Sequence, residues 1–296
     1  MTVALPRSAT ARQNSAGIGF MLLAVLFYGF MDALIKYQSA RYPVVEVMFF
    51  RSLFALIPLG WLVRRGGGWT ALRTRQPRLQ ALRAIIGFVS LLCFIEAFAL
   101  MPLADVVAIG FAAPLFITAL SVPLLGEQVG WRRWSAVLVG FLGVLVMVRP
   151  GSGLLGVAAV VALLGTLTYA LSIIIIRRLS ATDGNAPTVA SFTIFAVLAT
   201  GMVLPFSWVT PVATDWIMLV AMGLLGGAGQ IAFTHAFRLA PPVIVAPFDY
   251  ANMLLATGLG YLVWDDIPTV SILAGAVLVI ASGLYIVYRE AMRREA

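Results

Sequence analysis

Seven ionisable side chains interrupt the apolar stretches of this 296-residue chain: Asp32, Glu46, Arg51, Glu96, Asp105, His235 and Asp249. A charge in such a stretch is costly unless it meets a partner, an interface or water. Each therefore marks either an ion pair that locks helices or a place where a polar solute is handled. Glu46 and Asp105 lie near helix starts, within reach of an interface, and are set aside. Asp32, Arg51 and Glu96 can form a carboxylate–arginine cluster. Helix locking is the simpler role for Arg51, and Glu96 fits either role. His235 is the single histidine. Imidazole titrates near neutrality, so a proton-coupled step and a plain packing role are both open to it. Gln230 and Asn252 bring amides that need hydrogen-bond partners, which a polar cavity or a bound solute supplies. The aromatic residues Tyr28, Phe94, Phe98, Phe111, Tyr169, Phe233, Tyr250 and Trp264 sit among these groups, and aromatic faces hold apolar or cationic moieties.

Other chemistries are excluded by what the chain lacks. One cysteine, Cys93, excludes an internal disulfide framework, and one histidine excludes the usual multi-histidine zinc centre, so no metal and no cofactor are expected. No phosphate loop of the G-x-x-x-x-G-K-[ST] type is present, so the chain carries no nucleotide-driven motor of that kind. Glu96 and His235 make a poor acid–base pair. Glu96 is expected ~8 Å from the middle of its helix, at ~1.5 Å per residue, and His235 roughly 12 Å from the middle of its own, toward the opposite face.

The elements that position these groups follow from composition. Hydrophobic residues make up 61% of the chain and charged residues 11%. A soluble domain is about 45–50% apolar and about 25% charged, so this is an integral membrane protein. Ten stretches of roughly 20 apolar residues are long enough to cross a bilayer: 17–36, 44–63, 81–101, 103–125, 131–149, 154–176, 187–207, 214–238, 241–263 and 269–288. The fold class is therefore all-α and membrane-spanning. The first stretch follows Arg7 and Arg12, as a signal peptide would. It is longer than a signal core and closes on Asp32 and Lys36, so it reads as a retained span.

Positive charge sets the orientation. Sixteen Lys and Arg residues fall on the side of the N-terminus and three (Lys36, Arg41 and Arg149) on the other, with Arg51 left inside a span. Both termini are expected in the cytoplasm, and the net charge of +8 is a topology signal rather than a nucleic-acid footprint.

The chain also repeats itself. Ala97-Phe98-Ala99-Leu100-Met101-Pro102 aligns with Ala236-Phe237-Arg238-Leu239-Ala240-Pro241, and the same offset in numbering sets Gly126-Glu127 on Asp265-Asp266. Tyr28, Lys36 and Ser39-Ala40 align with Tyr169, Arg177 and Ser180-Ala181 at nearly that offset. Five spans precede the midpoint and five follow it. Because five is odd, the second half must sit inverted, and the expected units are residues 1–149 and 150–296. Inverted repeats recur in secondary transporters, with the substrate near the midplane between the halves. Glu96 and His235 occupy equivalent positions of the two halves. Pro114 and Pro247 interrupt the fourth and ninth spans, where bent helices can act as gates. Gly223 and Gly227 have the spacing of close helix packing.

These motifs resemble the EamA-type members of the drug/metabolite transporter superfamily over nearly the whole chain. The resemblance rests on Pro43…Phe50-Arg51, Ala97-Phe98-Ala99-Leu100-Met101-Pro102-Leu103-Ala104, Ala113-Pro114-Leu115, Leu125-Gly126-Glu127 and Gly140…Gly143. It continues in Ala236-Phe237-Arg238-Leu239-Ala240-Pro241-Pro242 and Ala246-Pro247. It implies a ten-helix exporter of amino acids or related metabolites in a bacterial cytoplasmic membrane. Asp265-Asp266 departs from the Gly-Glu usual in the family after the ninth span. The expected partners are a small-molecule substrate and the lipid bilayer, with no nucleic acid. Ten helices suffice to enclose a path within one chain. A nucleotide-sugar or sugar-phosphate exchanger would want several basic groups facing the cavity, and only Arg51 lies deep in a span. That rival and a multidrug exporter form the second reading, ahead of a membrane-embedded enzyme or a channel.

Overall fold

The structure is a computed structural model that describes residues 7–66, 68–126, 130–148, 154–179, 182–240 and 248–295. It is helical, with no strand among the described residues. The helices are α1 (Arg7–Ser39), α2 (Val44–Arg65), α3 (Pro77–Leu100), α4 (Leu103–Gly110), α5 (Ala113–Leu125) and α6 (Trp131–Val148). They continue as α7 (Leu154–Leu179), α8 (Asn185–Val203), α9 (Asp215–Leu239), α10 (Ala251–Trp264) and α11 (Val270–Glu295).

Among the described residues, seven segments are long and apolar enough to cross a membrane: Gln13–Ser39, Val44–Arg65, Pro77–Leu100, Leu103–Leu124, Gly156–Ile176, Ala186–Phe206 and Asp215–Ala236. The fifth, ninth and tenth expected spans correspond to shorter apolar helices, Trp134–Met147, Ala251–Trp264 and Val270–Ile286. The helices that contain the first and third of these are longer, 18 residues in α6 and 26 in α11, and α10 has 14. Residues 241–247, which include the Pro241-Pro242 motif and Pro247, lie outside the described residues.

Local chemistry sets the helix ends. Proline has no N–H to offer, so it sits comfortably just outside a helix start. Pro43 and Pro102 precede α2 and α4, each with φ near −55°. Met101 is extended, so the α3–α4 link is only Met101-Pro102. The fourth apolar segment is broken at Phe111-Ala112, and Pro114 lies in the first turn of α5. α5 ends on Gly126 in the left-handed region, φ 69°, and α10 ends on Asp265 at φ 56°. These are the two positions that the sequence repeat aligns. The left-handed cap suits glycine. Aspartate adopts it more readily than most side chains because its short polar group bonds locally.

Burial is uneven. In the Leu103–Leu124 segment 72% of the most apolar stretch is buried, against 33% in each of the first three segments, so α4–α5 is the central element. Outward faces carry Met202, Ile217, Leu262 and Val270, which suit lipid and not water. Four buried hydroxyls are satisfied within their own helices. Thr166, Thr193, Thr200 and Ser282 each donate to the carbonyl four residues back.

α1 lies along α9, α3 along α7, and α6 along α11. α2 packs on both α8 and α9, and α3 also meets α8. α5 lies on α7, α10 on α1, and α4 on α10. Exchanging the first five apolar segments for the last five returns the same pairings. Gly223 and Gly227 of α9 press against Phe54 and Pro58 of α2, where a side chain would collide, so this pair serves close packing.

Candidate functional site

A cavity of about 680 Å³ lies between α2, α3, α8 and α9. Its walls run from Arg51 on α2 to the exposed connections at Gly66 and Gly184. Gly66 follows Arg51 by fifteen positions along α2, so the cavity wall extends about 22 Å from Gly66 to Arg51. The mouth is the basic-rich end of the chain. Arg51, Arg83, Thr193, Gln230, Thr234 and His235 give the walls their polarity, and Leu59, Leu62, Ile231 and Phe192 their apolar area.

The deep wall forms where small residues let helices close up. A side chain at Gly226 would meet Met31 and then the Arg51 guanidinium, 3.8 Å away, so glycine there keeps space beside the charge. Arg51 Nε is buried and has no hydrogen-bond partner among the described residues. Arg51 lies within electrostatic range of Asp32 and Tyr28, and Asp32 within range of Asp249. The Tyr28 hydroxyl donates to Gln230 Oε1 at 3.0 Å, and its ring lies 6.3 Å from that of Phe233. Tyr169 feels Asp249 and Arg83, and Tyr28 feels Tyr169. Of these, Arg51 and Gln230 line the cavity, Tyr28 joins it through Gln230 with Phe233 beside it, and Asp32 and Tyr169 lie within electrostatic range of this group. His235 stands nearer the mouth, its ring 5.5 Å from Phe20.

Other expected site residues lie elsewhere. Glu96 is half-buried on α3, within charge range of Cys93, and is not part of this cavity wall. Phe98 is buried in the main core. Phe94 packs between α4 and α7, beside Gly110 and Gly165. Phe111 meets Tyr250 edge to face at 5.0 Å, joining the α4–α5 break to the start of α10. Asn252 faces Gly29 of α1, and its buried Oδ1 lacks a partner among the described residues.

Sequence reasoning missed two features of the cavity. Arg83 counted as one of the loop charges, yet it lines the wall and its guanidinium lies 4.6 Å over the Phe192 ring. The signal was there, since residue 83 already falls inside the apolar stretch that starts at 81. Asp249 stood among the ionisable residues but not among the transport residues, and the structure brings its charge to Asp32 and Tyr169.

At the opposite end polar contacts tie the helix ends together. Asp215 at the start of α9 accepts from the Tyr42 hydroxyl at 2.8 Å and pairs with Arg41 at 3.3 Å. Lys36 pairs with Asp266 at 2.9 Å. Glu46, set aside as an interfacial group, is buried and accepts from the Val209 N–H at 3.0 Å. At the mouth end Asp183 accepts from the Thr74 hydroxyl, the Arg75 N–H and the Gln80 amide. These donors hold its carboxyl below the usual range, that of Thr74 most strongly.

The cavity mixes polar and apolar walls inside an apolar helical bundle, and comparison with known proteins gives the family. The EamA-like transporter family matches residues 15–149 and again residues 156–288. The chain belongs to the EamA-like transporter family. It is thereby a multi-pass membrane transporter of the drug/metabolite transporter superfamily. It is 31% identical over 272 residues to the pseudopaline exporter of Pseudomonas aeruginosa, covering 90% of this chain and 94% of that one. It is 27% identical over 279 residues to the S-adenosylmethionine uptake transporter of Rickettsia prowazekii, covering 93% of both. A solved crystal structure shares the EamA-like chain's fold with a TM-score of 0.66 at 18% identity, covering 95% of this chain and 99% of the other.

Proposed function

We propose that this chain is a secondary exporter of small amphipathic metabolites, amino acids first among them and the aromatic and other apolar ones in particular. It works by alternating access between two inverted five-helix halves, residues 1–149 and 150–296. It sits in a bacterial cytoplasmic membrane with both termini inside, so the cavity mouth faces the cytoplasm. One observation carries this reading: a cavity of about 680 Å³ runs from the basic-rich end to Arg51 and stops beneath a hydrogen-bonded far end. A volume of about 300–1,000 Å³ suits a small-molecule ligand.

The two-half organisation draws support from the family matching twice and from helix pairings that survive exchange of the halves. Tyr28, Tyr169, Phe233 and Phe192 offer ring faces to an apolar side chain. The guanidiniums of Arg51 and Arg83 offer charge-assisted hydrogen bonds to a carboxylate, and Asp32 and Asp249 complement an ammonium group. Pro114, in the first turn of α5, and Pro247, outside the described residues, are the proposed gates.

A second guanidinium in the cavity also raises the standing of substrates with more than one acidic group. The relatives just named carry pseudopaline and S-adenosylmethionine, so the EamA-like scaffold accommodates metabolites larger than a single amino acid.

Liposomes holding the purified protein test the reading. Saturable efflux of labelled phenylalanine or leucine, competed by unlabelled amino acid, is the expected result. Unsaturable conductance overturns it in favour of a channel. Competition by a sugar phosphate and not by amino acids moves the substrate to the second reading.

A further inference from the structure

The two ends of the molecule contain equivalent joints. At the far end the α1–α2 link meets the α8–α9 link. Tyr42 donates to Asp215 at 2.8 Å, the Val212 N–H donates to the Tyr42 oxygen at 3.0 Å, and the Gln38 amide donates to the Asp215 carbonyl at 3.3 Å. At the mouth end the α7–α8 link meets the α2–α3 link. Asp183 accepts from Thr74, from the Arg75 N–H at 2.9 Å and from Gln80 at 2.9 Å, while Gln76 donates to Thr182 at 2.9 Å. Tyr42 and Asp183 are related by the offset that relates Tyr28 to Tyr169. Segments 73–76 and 212–215 are related by the offset that sets Ala97 on Ala236. These are the same places in the two halves. Both joints are made at once, one beside the open mouth and one at the closed end. A contact present in both settings does not decide which end is open.

Lys36 makes a contact of another kind. Its ammonium donates to Asp266 Oδ2 at 2.9 Å and to the Met101 carbonyl at 3.1 Å, and lies 5.1 Å from the centre of the Trp264 ring. One charge therefore ties together the last turn of α1, the α3–α4 junction and the α10–α11 turn. The lysine side chain is only 12% exposed. Asp266 is presented by the left-handed turn at Asp265 and by its own N–H donating to the Gly260 carbonyl. These elements cap the central helices α4 and α10, whose Phe111 and Tyr250 rings meet beneath them.

We propose that the Lys36–Asp266–Met101 contact is the latch that holds the far end closed, and that the Asp215 and Asp183 joints are pivots that stay made throughout the cycle. A charged latch at the lip is reversible for a physical reason. Opening admits water, which rehydrates both charges and offsets most of the lost attraction. A buried apolar seal has no such compensation. The proposal rests on the alternating-access reading above.

Hydrogen–deuterium exchange of the purified full chain tests the latch without a substrate. Lys36→Met and Asp266→Ala should each speed exchange in segments 98–107 and 258–266 about tenfold, the scale of losing a hydrogen bond to a charged group. They should slow exchange at the mouth, in segments 62–66 and 184–190. Asp266→Asn should give the same pattern with smaller amplitude. Asp215→Asn should speed exchange only around 38–44 and 208–216. Faster exchange at the far end without protection at the mouth means local fraying and overturns the latch, as does an unchanged pattern. Reciprocal exchange in Asp215→Asn overturns the pivot assignment. Because this readout needs no solute, a failure of amino-acid efflux in liposomes would remove the transport reading while leaving the latch to stand or fall on its own.

Discussion

Arg51 and Phe192 occupy equivalent places in the two halves, related by the same offset as Tyr28 and Tyr169. Each lies against an equivalent glycine. Arg51 approaches Gly226 of α9, and Phe192 approaches Gly87 of α3, where a side chain would meet its ring at 3.2 Å. Both are close approaches to a glycine, but one presents a guanidinium and the other an aromatic face. On that face rests Arg83, a charge supplied from a different helix. The proposed repeat accounts for the matching close approaches and not for the chemistry at them. Arg51 and Arg83 each bring a charge to the cavity wall, and each does so from a different helix.

The largest effect should come from removing the charge that only the first half owns. Arg51→Met is expected to cut saturable amino-acid flux in liposomes by about 100-fold or more, because two or more charge-assisted hydrogen bonds to the solute are lost. Arg51→Lys should recover only part of this, since an ammonium lacks the planar fork. Wild-type flux in Arg51→Met would place the binding site elsewhere.

Filling the space beside each group should come next. Gly226→Val pushes a side chain toward Met31 and the Arg51 guanidinium, and flux should fall about tenfold through misplacement of that charge. Gly87→Ala presses on the Phe192 ring, which can yield by a few tenths of an ångström, and should change flux less than about threefold. Equal effects would erase the distinction between the halves.

Stability should separate the two joints. Asp215 is buried and holds Tyr42 and Arg41, so Asp215→Asn is expected to destabilise the detergent-solubilised protein by about 1–3 kcal/mol in thermal unfolding. Asp183→Asn, at an exposed joint, should shift the melting temperature less.

The smallest effect should be one of pH. The Asp183 carboxyl is held below its ordinary value, so its contribution is present above the unfolded value of about 3.9 and is lost as pH falls through the lower folded value. Wild type should lose melting temperature below about pH 4 faster than Asp183→Asn. Parallel acid limbs would mean that the Thr74, Arg75 and Gln80 contacts do not hold the charge.

Much of this was legible beforehand. Apolar runs place the helices because a span must hide its backbone from lipid, and that requirement is written in composition and length. Met101-Pro102 and Gly126 mark helix ends through local backbone chemistry. Tyr28, Arg51, Gln230 and His235 could be singled out because polar groups in apolar runs need a reason. Glu96 met the same test and lies outside this cavity wall, since the criterion gives depth along a helix and not the direction a side chain faces. Arg83 was hidden among loop charges because an arginine near a helix end reads alike whether it turns to water or into a cavity.

By itself, the amino-acid order determined an all-helical membrane protein, its apolar segments and the spacing of its repeated motifs, because these depend on local hydrophobicity and backbone rules. The tertiary structure decided which helices pair, that Arg83 joins Arg51 in one cavity, that Glu46 and Asp215 are buried in a polar joint, and that Lys36 reaches Asp266 from the far end of the sequence. Such contacts depend on the rotation of each helix about its axis. That rotation is set by close packing between faces that no local pattern records.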